Sequence, residues 1–80
     1  MTNDTSRRVA AIWSELLNMS ELSAEDNFFE LGGDSVAATQ CLNRIREAFG
    51  CRIPLATFLE RSMTLGKLAG LVDEMVNPAR

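Results

Sequence analysis

An 80-residue chain with 46% apolar and 24% charged residues can bury one small core and little more. Its longest apolar runs are only a few residues, too short to cross a bilayer, and the N-terminal MTNDTSRRV lacks the apolar stretch of a secretory signal. A formal net charge of −3, with eight basic residues scattered against eleven acidic ones, is a poor match for nucleic acid, which needs clustered cations. Residues 1–80 are expected to form a single monomeric domain in the cytoplasm, with no nucleic-acid or membrane partner.

From about Asp4 to Asn18, Val9, Ile12, Trp13 and Leu16 recur at helical spacing on one face, and Asp4 or Thr5 is placed to cap the start. The connection over residues 19–34 is long for so small a domain and points to function. Leu22, Phe28, Phe29 and Leu31 give it anchors against a core. A second helix is predicted from Ser35 to Phe49, stopped by Gly50, with Ala38, Cys41, Leu42, Ile45 and Phe49 as its apolar stripe. Pro54 opens a short helical segment, Leu55 to Glu60. Thr64 caps a last helix on which Leu65, Leu68, Ala69, Val72, Met75 and Val76 share a face. No strand, repeat or low-complexity tract is evident, so the fold class is all-α: a small bundle of three main helices and one short one. Trp13 and Phe49 are expected in its core, where truncating either to alanine should cost about 3–5 kcal/mol.

Cys41 lies on the apolar stripe and Cys51 just past the glycine stop. The intervening helix sets them roughly 13–15 Å apart, beyond disulfide reach. Two cysteines in a chain without histidine leave a zinc site incomplete, so both read as free structural thiols and no metal site is expected.

The stretch Phe28–Val36, FFELGGDSV, concentrates the chemistry. Gly32 and Gly33 supply a bend and clear side chains from around Ser35. The helix start offers free N–H groups and a positive dipole end to any anion held there, so a serine in that position suits a phosphate ester. A plainer reading is that Asp34 or Ser35 simply caps the next helix. A nucleophile elbow is excluded, because Gly33-x-Ser35-x-Ala37 lacks the closing glycine and no histidine exists to build a Ser-His-Asp relay.

Together with the chain length and helix spacing, this segment resembles the attachment site of the acyl and peptidyl carrier proteins. Leu31-Gly32-Gly33-Asp34-Ser35 is most similar to the form found in peptidyl carrier (thiolation) domains of nonribosomal peptide synthesis. The resemblance implies that Ser35, beside Gly33, is esterified to 4′-phosphopantetheine drawn from coenzyme A by a phosphopantetheinyl transferase. It implies that Asp34 helps hold the transferase's magnesium. It implies a non-catalytic carrier that presents aminoacyl or peptidyl thioesters to adenylation, condensation and thioesterase or tailoring enzymes.

Val36 falls roughly 170° from the centre of the apolar stripe and matches the small apolar position that family members use for docking. Thr39 and Gln40 on the exposed side of that helix, with Phe58, Arg61 and Met63 around the short helix, complete the expected docking surface. Fatty-acid carriers present a strongly acidic second helix, whereas this one carries Arg44 and Arg46 against Glu47, which favours the peptidyl class. The alternatives are an acyl carrier of polyketide or fatty-acid-like synthesis and, outside the class, a small helical adaptor without a prosthetic group. Residues 18–34 hold five acidic side chains and no basic one, either a solvated loop or an attraction for a basic enzyme surface. Met1 and the short polar tail from Asn77 to Arg80 point to a free-standing chain.

Overall fold

The computed structural model describes residues 4–59 and 63–76. Among them are four helices: α1 (Asp4–Leu17), α2 (Ser35–Phe49), α3 (Leu55–Phe58) and α4 (Leu65–Val76). The one departure from helix and loop among the described residues is an isolated antiparallel bridge between Asn27 and Thr64. The all-α expectation holds.

α1 packs against both α2 and α4, and α3 sits against α2. The amphipathic spacing accounts for this arrangement. Val9 and Trp13 of α1, Ala38, Cys41 and Ile45 of α2, and Leu65, Leu68, Ala69 and Val72 of α4 are buried together. Ile12, Leu16, Leu42 and Phe49 pack around that centre as partly covered neighbours. Trp13 is fully buried at the middle, edge-on to Phe28 with ring centres 5.1 Å apart and to Phe58 at 6.4 Å.

Polar clamps tie the helices at their rims. Arg8 of α1 lies 4.3 Å above the Phe49 ring and donates to the Ala48 carbonyl at 2.9 Å, covering the end of α2. Arg44 of α2 pairs with Glu15 of α1, and Thr5 Oγ1 donates to Asp73 of α4 at 3.2 Å. Gly50 ends α2 in the left-handed region at φ 75°, donating its N–H to the Arg46 carbonyl at 2.8 Å.

Several expectations need correction. Asp4 is the first residue of α1 rather than a cap preceding it, and Thr5 is engaged with α4. Met75 and Val76 are exposed, because the last turn of α4 runs past the end of the buried face. Phe49 is only half-buried, its outer face covered by Arg8 rather than by core. Its truncation should therefore cost less than that of Trp13. α3 is four residues long, and Glu60, at the far end of the expected segment, lies outside the described residues.

Both cysteines are free thiols, Cys41 buried and Cys51 half-buried. Burial pushes the Cys41 thiol up to about 12, against smaller opposing pulls from Trp13 and Arg44. The indole N–H of Trp13 has no partner in hydrogen-bonding geometry, so its pull on that sulfur is a weak polar contact. A thiol whose pKa rises on folding from 9.0 to about 12 holds its proton more tightly in the native state. Its contribution to stability is intact below pH 9.0 and lost as pH climbs towards 12. Urea melts across that alkaline range should show wild type losing stability faster than Cys41→Ala. Parallel profiles would mean that the thiolate forms without cost in the fold.

Candidate functional site

The loop between α1 and α2 places Ser35, and hydrogen bonds hold it along its length. Asn18 turns the chain out of α1 at φ 56°, with the Met19 N–H on the Ser14 carbonyl at 3.1 Å. Asp26 closes a turn by accepting the Ser23 N–H at 2.8 Å. The carbonyls of Ala24 and Asp26 then accept the N–H groups of Gly66 and Leu65 at 2.8 and 2.9 Å. Those donors are at the first turn of α4, so the loop caps that helix while Thr64 Oγ1 takes the Lys67 N–H at 3.2 Å. Gly66 allows the approach, since a Cβ there would lie 3.1 Å from the Ala24 carbonyl oxygen.

Asn27 organises the next stretch. It is buried, and its Oδ1 accepts the N–H groups of Phe29 at 2.9 Å and Glu30 at 3.3 Å. Its carbonyl accepts the Leu31 N–H at 3.1 Å. This tight turn drives the Phe28 ring into the core against Trp13, Phe29 and Phe58. The chain returns over that ring. Gly32 bends at φ 107°, and Gly33 donates to the Phe28 carbonyl at 3.0 Å. A Cβ on Gly33 would fall 2.3 Å from the Phe28 ring, so the missing side chain makes room for phenylalanine. The expectation that both glycines clear space around Ser35 is corrected for Gly33, whose role here is close packing.

Asp34 is extended and caps α2, its Oδ1 accepting the Ala37 N–H at 2.9 Å. Ser35 is the first residue of α2 and is exposed. Its carbonyl accepts Thr39 Oγ1 at 3.0 Å. The side chain thus projects from a helix N-terminus whose dipole favours an anion, on a backbone fixed from both sides. An exposed primary alcohol beside a glycine-lined turn fits a bulky phosphate ester.

Val36 is 67% exposed, as its position on the helix implied, and Thr39 and Gln40 are exposed beside it on α2. Phe58 and Met63 do not join them. Both are buried in the core, Phe58 wholly, so neither presents a surface to a partner. The pattern failed there because a four-residue helix has too little periodicity to separate inner from outer positions. The exposed apolar side chains in that region are Leu55 and Leu59. Arg61 lies outside the described residues. A groove of about 320 Å³ also runs beside α2, lined by Thr39, Leu42, Asn43, Arg46 and the segment Arg52 to Leu55.

Sequence reading missed Asn27 and Gly66, which hold the loop without touching Ser35. An Asn directly before Phe28-Phe29 is the available signal for the first, since asparagine favours such side-chain-to-backbone turns.

Comparison with known proteins adds four findings. The family described as the phosphopantetheine attachment site matches residues 7–72. A linear gramicidin synthase polypeptide of Brevibacillus parabrevis is 46% identical over 69 residues, covering 82% of this chain and 1% of that protein. A peptidyl carrier protein solved with the phosphopantetheine transferase Sfp and coenzyme A superposes with a TM-score of 0.84 at 28% identity, covering 90% of this chain and 92% of that one. The A-PCP of McyG, solved with phenylalanyl-adenylate, superposes with a TM-score of 0.81 at 34% identity, covering 89% of this chain and 11% of that one. The chain therefore spans about 1% of the length of the curated synthase that it matches.

The packing at Gly33 can be tested directly. Gly33→Ala should destabilise the protein by about 1–3 kcal/mol, the usual cost of overpacking. Pairing it with Phe28→Leu should recover part of the Gly33→Ala loss, a non-additivity that denaturant titrations of the four proteins would reveal. Additive losses would mean that ring and glycine do not interact.

Proposed function

We infer that this chain, which belongs to the phosphopantetheine attachment-site family, is a peptidyl carrier domain that works in nonribosomal peptide synthesis. The observation that carries the reading is Ser35 itself: an exposed hydroxyl at the N-terminus of α2, on a loop pinned by Phe28 and Gly33. The resemblance to a gramicidin synthase and to structures of peptidyl carriers supports the peptidyl class over an acyl carrier of polyketide synthesis. Residues 1–80 are read as one such carrier domain.

In this reading Ser35 holds a 4′-phosphopantetheine group through a phosphodiester. Its Oγ would bond to phosphorus as the phosphoanhydride bond of coenzyme A breaks, with 3′,5′-adenosine bisphosphate as the leaving group and the hydroxyl proton passing to a base of the transferase. When attached, the group supplies a thiol that carries an aminoacyl or peptidyl unit as a thioester. The protein has no histidine to act as a base towards Ser35, so activation falls to a phosphopantetheinyl transferase. Asp34 serves two ends: its cap fixes the first turn of α2, and its exposed carboxylate can face the transferase's magnesium. Gly32 keeps the approach to the hydroxyl open by turning the chain away, while Gly33 seats the turn on the Phe28 ring.

The domain itself catalyses nothing. It supplies position, while adenylation, condensation and thioesterase or tailoring enzymes act in turn on a cargo held at high effective concentration. Val36, Thr39 and Gln40, next to the modified serine, form the docking surface for those enzymes. A cytoplasmic setting fits the two free thiols.

Incubation with coenzyme A and a broad-specificity transferase should add the mass of one phosphopantetheine to wild type and none to Ser35→Ala. A wild-type protein left unmodified by several transferases would overturn the carrier reading in favour of a helical adaptor.

A second substitution separates docking from folding. Val36→Asp should change stability by only a few tenths of a kcal/mol, since the side chain is exposed and an acid suits the first helical turn. The same charge at an apolar contact should slow aminoacyl loading or transfer several-fold. Melting curves and loading rates on the holo protein would decide, and unchanged rates would make Val36 a bystander.

A further inference from the structure

The arginines among the described residues divide into two groups. Arg7 pairs with Asp4, Arg8 lies on Phe49, and Arg44 pairs with Glu15. Arg46 and Arg52 have no ion-pair partner among the described residues, and both line the groove beside α2. The floor between them is apolar, made by Leu42, Ile53, Pro54 and Leu55, and no acidic side chain among the described residues lines it. The groove lies on the Ser35 side of α2. Thr39, Leu42, Asn43 and Arg46 follow Ser35 at helical spacing, so the site begins one turn from the serine and ends about 16 Å along the helix.

We propose that this groove is a docking site for an enzyme that acts on the Ser35-linked arm, and that it takes a partner segment presenting carboxylates interleaved with apolar side chains. The proposal rests on the carrier reading and adds the partner's chemistry to it. Two unpaired guanidiniums over an apolar floor offer bidentate contacts to carboxylates and burial to the side chains between them. With no acid lining the groove among the described residues, a basic partner meets the two guanidiniums there and is repelled. The site therefore discriminates by charge. It also fixes direction, because an enzyme seated on it has its next contact one helical turn away at the modified serine.

The test uses holo protein labelled with ¹⁵N and two capped probes, acetyl-Leu-Glu-Leu-Glu-Leu-amide and its counterpart with glutamine in place of glutamate. The glutamate peptide should shift the amide signals of Leu42, Arg46 and Ile53. The shifts should fall at least about fivefold with the glutamine peptide, in about 0.5 M salt, or in the Arg46→Glu/Arg52→Glu variant. Both arginines are exposed, and the variant's own spectrum shows whether the fold is kept. Equal shifts with both peptides, or none in the groove, would overturn the proposal. So would groove signals that move on conversion from apo to holo protein and are then insensitive to peptide, since the arm itself would be the occupant. Mass spectrometry of the same sample reads the Ser35 modification separately, so an intact holo protein with a silent groove removes the docking site and leaves the carrier.

Discussion

The site depends on one contact, the Phe28 ring lying where a side chain on Gly33 would have to be. Phe28 is wholly buried and touches Trp13, Phe29 and Phe58, so its position is set by the aromatic centre of the bundle. Gly33 is held on that ring by its missing Cβ and by its hydrogen bond to the Phe28 carbonyl. Asp34 and Ser35 follow immediately. The first turn of α2 is thus referenced to the core through two residues rather than through a long surface loop. A tethered group gains from this rigidity, because a flexible arm delivers its end reproducibly only when its root is fixed.

The rest of the loop serves the same end by a different route. Residues 19–34 spend their polar groups on other elements: two carbonyls cap α4, and Asn27 closes its own turn. A segment of this length without such bonds would contribute mobility at Ser35. The acidic side chains Glu21, Glu25 and Glu30 remain exposed, so the loop is neutral towards the core and charged only towards solvent.

The long helices were legible because their periodicity is strong. The limits of α2, its glycine stop and the buried stripe Ala38, Cys41 and Ile45 all follow from spacing and caps. Ser35 was legible for the same reason, as a polar residue at a recognisable helix start behind two glycines. What spacing could not resolve was depth. Phe58 and Met63 belong to a short helix and its flank, where no repeat assigns a face, and tertiary packing with Phe28 buries Phe58. The last turn of α4 continues the apolar pattern beyond Val72, the last buried residue of the helix, so Met75 and Val76 keep the pattern and stay exposed. Gly33 was visible as a glycine, but its reason lies five residues back in the chain, in a ring contact that no local motif encodes.

Charge completes the division of labour. The loop before Ser35 carries only acidic groups, while the face of α2 after it leads to Arg46 and Arg52. A partner that approaches Ser35 therefore meets a negative field on one side and a positive one on the other. Such a gradient costs the fold little, since these groups are exposed and screened by solvent. On the proposed docking at Val36, it would act on encounter instead, orienting a charged enzyme surface before that apolar contact is made. On the proposed carrier reading, a domain handled by several enzymes in turn must bind each one weakly and in a defined orientation. Separated charge around a small apolar contact meets both requirements, because steering raises the rate of arrival without lengthening the stay.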